Sequence, residues 1–170
     1  MAQNPAPLPI DTSLWQNRDR DQPILKFNAT AVRMPRQYDP SNPFTGAYKE
    51  SDEERSTSFD TRKNEDSNPV VEIQMISKPF FAPYYWETPI IKKYTTTDVY
   101  NLLVAKKFNH YQYNGAGSGC LTWTTALIEL LENEGVIAVG SKISFLKKVD
   151  EVRTDTKYWV PLEPGAEFYN

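Results

Sequence analysis

YQYNGAGSGCLTW, residues 111–123, decides how this chain is read: an alternating strand passes through three glycines into a helix. Gly115, Gly117 and Gly119 fall within five positions. The stretch that follows, Cys120 to Glu134 (CLTWTTALIELLENE), carries the strongest helical spacing in the sequence. Gly135 sits where a left-handed residue closes a helix. Working outward, Phe108 to Tyr113 alternates as a strand. Thr95-Thr96-Thr97 before Asp98 marks a helix start, with Val99, Leu102 and Leu103 on one face, which predicts a helix over 96–107. Val70 to Ser77 (VVEIQMIS) reads as a strand with Val71, Ile73 and Met75 on one face. Ile24 to Met34 alternates more loosely, with Leu25, Phe27, Ala29 and Ala31 sharing a face. Ser144 to Val152 fits a helix or a strand equally well. The expectation is an α+β fold: a small, mostly antiparallel sheet near 24–34, 70–77, 108–113 and the tail. Two main helices, 96–107 and 120–134, pack on one of its faces.

The 170 residues suit one domain, and area scaling has roughly 70% of the unfolded surface buried on folding. Eleven of the thirteen prolines precede residue 90, so regular structure is expected to be densest from about Ile90 to about Val152. Residues 1–22 read as an irregular N-terminal arm in which Leu14 and Trp15 can dock. Residues 23–170 read as a single domain with a mobile acidic insertion at about 36–69. Within that insertion, Lys49 to Asp66 holds seven acidic and four basic residues, which is the whole formal net charge of -3. Its only large apolar side chain is Phe59, too little to bury, and a long loop is the expected outcome.

Composition excludes several classes. Nineteen basic against twenty-two acidic residues, with a pI near 5.3, offer no global attraction to nucleic acid. No apolar run approaches the ~18–20 residues that cross a bilayer. The start, MAQNPAPLPID, has neither the basic nor the apolar region of a secretory signal. One cysteine, Cys120, makes no internal disulfide, and with one histidine, His110, it cannot build a zinc tetrad. The expected setting is a reducing cytoplasm, with no metal, cofactor, nucleic acid or membrane partner; the oligomeric state stays open.

The candidate chemistry gathers at the glycine loop. A helix N-terminus carries unpaired N–H groups and partial positive charge, so Gly117, Ser118 and Gly119 are candidate contacts for a small anionic or aromatic ligand. The spacing fits neither nucleotide fingerprint: Cys120 stands where a third dinucleotide glycine belongs, and no Lys-Ser or Lys-Thr follows. Cys120, at the helix start, is the candidate nucleophile and His110 its candidate base. His110 lies about five residues before the loop, or roughly 16 Å of strand, which argues against a direct dyad. A small core residue is the competing reading of Cys120. Tyr111, Tyr113 and Trp86 are the candidate pocket walls, together with the aromatic run 80–86, which can equally close one end of the core. Trp123 is read as core.

Gly117-Ser118-Gly119-Cys120-Leu121-Thr122-Trp123, then Leu131 to Ile137, then Gly165-Ala166-Glu167-Phe168-Tyr169, resembles an uncharacterised domain-of-unknown-function family of filamentous fungi. The likeness covers about residues 90–170. An arginine often follows the cysteine in that family; Leu121 replaces it here, which puts any anion-holding role of that position in doubt. The resemblance implies a fungal origin, with a weak link to secondary metabolism, and no established activity. Two functions remain open. One is a small-molecule binder or tailoring enzyme with its pocket at Gly115–Cys120. The other is a non-catalytic interaction module using the acidic segment or the aromatic 80–86 run.

Overall fold

The computed structural model describes residues 6–31, 44–50, 53–63, 70–79, 84–113, 119–155, 160 and 166–169. Its strands are β1 (Ile10–Asp11), β2 (Lys26–Ala31), β3 (Phe44–Glu50), β4 (Glu53–Lys63), β5 (Val70–Pro79), β6 (Tyr84–Pro89), β7 (Tyr111–Tyr113) and β8 (Ala166–Phe168). Its helices are α1 (Thr96–Ala105), α2 (Cys120–Asn133) and α3 (Ser141–Arg153). The fold is α+β. Six strands form one sheet in the order β1-β5-β4-β3-β2-β6, antiparallel except where β1 runs parallel to β5.

The segment expected to be a mobile loop contains the middle of that sheet. β3 pairs with β4 from Phe44↔Phe59 to Glu50↔Glu53, and β4 pairs with β5 along most of its length. Counting apolar residues misled here. A strand with a neighbour on each side satisfies its backbone whatever its side chains, and Ser, Thr and Phe at 56–61 suit the pleat. Thr57 is fully buried. The rest of the expected insertion, 36–43 and 64–69, lies outside the described residues.

The arm is also more regular than expected. β1 adds to the sheet, a short 3-10 turn spans Asn17–Asp19, and Trp15 is buried against Tyr100. Thr96 Oγ1 donates to the Asp19 carbonyl at 2.7 Å, and Asn109 Nδ2 to that of Leu8 at 2.9 Å. Leu25 is exposed, because β2 begins one residue later, whereas Phe27 and Ala29 are buried.

Local chemistry explains the helix ends. At the start of α1, Thr95 and Asp98 exchange side-chain and backbone hydrogen bonds in a capping box. At its end Lys107 takes the left-handed region (φ 55), the Phe108 N–H reaches back to Leu103, and Phe108 drops into the core. That turn carries the chain away from the sheet, so 108–113 is not one of its strands. Only Tyr111–Tyr113 is extended, and it pairs with the tail strand β8 in a separate two-stranded sheet. α2 ends in the same way, as expected for Gly135 (φ 66): the Val136 N–H bonds to the Leu131 carbonyl, and Val136 is buried.

The open choice at 144–152 resolves as helix. Ser141, Phe145, Val149 and Val152 make the buried side of α3. Among the described residues there are thus three α-helices where two main helices were expected. Their inward residues join Phe27, Ala29 and Trp86 in one core.

Candidate functional site

Tyr111, at the head of the strand–loop–helix segment, is buried, and its ring packs against Phe168 with centroids 5.1 Å apart. Its hydroxyl donates to the carbonyl of Gly119, the residue that caps α2, and that same carbonyl accepts the Trp123 N–H at 2.9 Å. Gly119 is itself buried, with a φ of 168, outside the left-handed region. One turn on, Trp123 Nε1 donates to the Phe108 carbonyl at 3.1 Å, and the two rings meet edge to face at 5.8 Å. The phenol and the indole therefore bolt the start of α2 onto the turn after α1. Gly115, Gly117 and Ser118 lie outside the described residues.

Cys120 is half-buried and packs against the core. His110 belongs to the other side of β7. Its carbonyl accepts the Tyr169 N–H at 3.0 Å and its ring lies 5.5 Å from that of Tyr169, while Nδ1 is buried with no hydrogen-bond partner among the described residues. Tyr169 in turn donates its hydroxyl to the Ala6 carbonyl at 2.9 Å, and burial pushes that phenol above its ordinary range. The structure brings Tyr111 to Gly119 and gives His110 to the tail.

Trp86 stands elsewhere, on β6. Its Nε1 donates to Ser144 Oγ at 3.0 Å and its ring meets Phe145 edge-on at 5.4 Å, so the indole docks α3 on the sheet. Thr88 and Ser141 share a hydrogen bond beside it. For Tyr113 the structure gives the backbone pairing with Ala166. Of the aromatic run, 80–83 lies outside the described residues. Among the described residues, no group of three His, Cys, Asp or Glu converges as a metal site, and no helix is long and apolar enough to cross a membrane.

Away from the loop is a surface that the sequence did not single out. Opposite its buried side, α3 presents Ile143 (76% exposed) and Leu146 (38%), three residues apart on one helical face, and the turn before it presents Val139 (91%). The Ile91 N–H bonds to the Val136 carbonyl, and Ile90 bridges Ile137, so the exposed Ile91 (61%) stands at the same turn. The turn is held rigidly. Glu132, on α2, accepts the Gly140 N–H at 2.8 Å and the Lys142 N–H at 2.9 Å, which caps α3 because Gly140 has no side chain to do it. Those two N–H groups hold the Glu132 carboxyl below its usual range.

A family model described as a domain of unknown function, DUF7770, matches residues 37–169. The chain belongs to the DUF7770 family. No curated protein and no solved structure matches it. The DUF7770 span contains β3 to β8 and all three helices, and so takes in far more than the stretch from about residue 90 that carries the motif. It begins after β2, yet β2 lies between β3 and β6 and joins them. The folded unit around a DUF7770 segment here therefore reaches back to the N-terminal strands.

Proposed function

We propose that this DUF7770 domain is a non-catalytic protein-interaction module whose contact surface is the outer face of α3. The observation that carries this reading is the pair Ile143 and Leu146, exposed on a helix whose other side is already buried, with Val139 exposed in the turn before it. Contiguous apolar side chains left in water at a rigid, capped helix mark an interaction surface more often than chance exposure. The side chains first considered for chemistry have work in the fold: Tyr111 holds Gly119, Trp86 holds Ser144, and Cys120 packs at the core. That weighs against the alternative of a small-molecule pocket at Gly115–Cys120. We place the domain in the cytoplasm of a fungal cell, on the motif resemblance and the single cysteine; a role in secondary metabolism would follow only from the resemblance.

Ile143→Asp tests the reading. The substitution changes an exposed side chain on the solvent side of α3, so its melting temperature should stay within about a degree or two of wild type. Proteins cross-linked to the wild-type chain in its own cell extract should disappear from the Ile143→Asp sample, with reciprocal capture of at least one of them. Identical cross-linked sets from a normally folded variant would end the proposal.

A further inference from the structure

We infer that residues 6–11 are a displaceable strap over a groove that holds extended peptide, and that the groove takes an extended segment of a partner protein with apolar side chains two positions apart. None of the groove residues belongs to α3. Leu8 and Ile10 are half-buried and pack against the core, whereas Ala6, Pro7 and Pro9 are exposed. That alternation is the pattern of an extended strand. The domain holds the segment by its main chain. Leu8 donates its N–H to the Asn109 carbonyl at 2.8 Å, and its own carbonyl accepts from Asn109 Nδ2 at 2.9 Å, so one residue grips both backbone groups. Tyr169 donates its hydroxyl to the Ala6 carbonyl at 2.9 Å, and Ile10–Asp11 pairs parallel with Ile73–Gln74 on β5. From Ala6 to Ile10 the strap has no polar side chain, so these bonds hold backbone whatever the sequence, and only the seats of Leu8 and Ile10 select. This is the logic of strand addition to a sheet edge, in which main-chain bonds give affinity and alternate side chains give specificity. Another extended segment with apolar side chains two positions apart meets the same donors, acceptors and seats. Asn109, Tyr169 and β5 lie inside the DUF7770 span, which starts at residue 37, and the strap lies outside it. Behind the strap Trp15 is buried, which anchors the chain when 6–11 lift away.

A fluorescein-labelled peptide copying residues 6–13 is the probe, titrated against the full chain by fluorescence anisotropy. In wild type the strap competes from within the same molecule at an effective concentration of about a millimolar, so the peptide should bind weakly. Leu8→Asp combined with Ile10→Asp in the full chain vacates both apolar seats, and the peptide should then bind about tenfold or more tightly than to wild type. Adding Asn109→Ala to that variant should remove the gain. A folded Leu8→Asp, Ile10→Asp chain that binds the peptide no better than wild type would overturn the inference. Hydrogen exchange of wild type decides the matter where the variant does not fold. The Leu8 N–H should exchange about a hundredfold or more faster than those of Leu127 and Ile128 in α2, because the strap opens without the core. Exchange of all three at one rate would make the strap a fixed part of the fold and overturn the inference. Concentration-dependent self-association of wild type that the Leu8→Asp, Ile10→Asp variant abolishes would make the occupant a second copy's arm and overturn the assignment to a partner protein.

Discussion

Trp123→Ala should cost about 3–5 kcal/mol, the range for removing a large aromatic side chain from a packed core. Trp123 is essentially inaccessible, stacks edge-on against Phe108, and spends its one donor on the Phe108 carbonyl. The alanine variant loses the ring contact with Phe108, in the turn that separates α1 from β7. It also leaves the Phe108 carbonyl, in a buried setting, without that donor. A cost of this size is a large share of the stability of an ordinary domain, so the variant should melt far below wild type or fail to fold. A urea titration followed by circular dichroism measures it, and a loss below about 1 kcal/mol would mean the α2 start is not anchored as described.

The second large effect is at Glu132. Glu132→Ala removes both acceptors that cap α3, and the loss expected for an N-terminal cap with favourable charge is about 1–2 kcal/mol. Its pH dependence has a definite sign. The Gly140 and Lys142 N–H groups lower the folded-state pKa of Glu132, so as pH falls through the ordinary carboxylate range the unfolded chain takes up the proton first. Stability from this carboxylate is therefore fully present above that range and is lost as pH falls through the lower, folded value. Melting temperatures of wild type and variant should differ at about pH 7 and draw together as pH falls below the ordinary carboxylate range. Taking the difference removes the contributions of Glu134 and Glu151, which lysines Lys106 and Lys148 also hold low. A gap that stays constant over that interval would contradict the capping role.

What could be read from the sequence was what short-range chemistry dictates. The Thr95–Asp98 capping box, the Gly135 helix end and the Cys120 start of α2 all depend on a few neighbouring residues, and each sits where its residue types require. Lys107 shows the limit. It enters the left-handed region without being glycine, Asn or Asp, so nothing in its identity announced the turn that takes 108–110 out of the sheet. β3 and β4 were hidden for another reason: their strand character comes from partners on both sides, a long-range fact that composition does not record. α3 was ambiguous because apolar residues occur around much of its circumference. Phe145, Val149 and Val152 face the core while Ile143 and Leu146 face out, and that mixture blurs the helical period. The same mixture is what exposes the proposed contact face. At the glycine loop, the residue types suggested chemistry, whereas the hydrogen bonds of Tyr111 and Trp123 supply a structural reason for that aromatic spacing.

On the proposed function the domain makes contact at α3 and not at the α2 start. Hydrogen–deuterium exchange of the full chain, alone and with a partner recovered by Ile143-dependent cross-linking, separates the two. Contact at α3 gives new protection across about residues 139–147, with exchange across 111–123 unchanged. Protection that instead appears at 111–123, around Tyr111, Gly119 and Cys120, with none along α3, would contradict it.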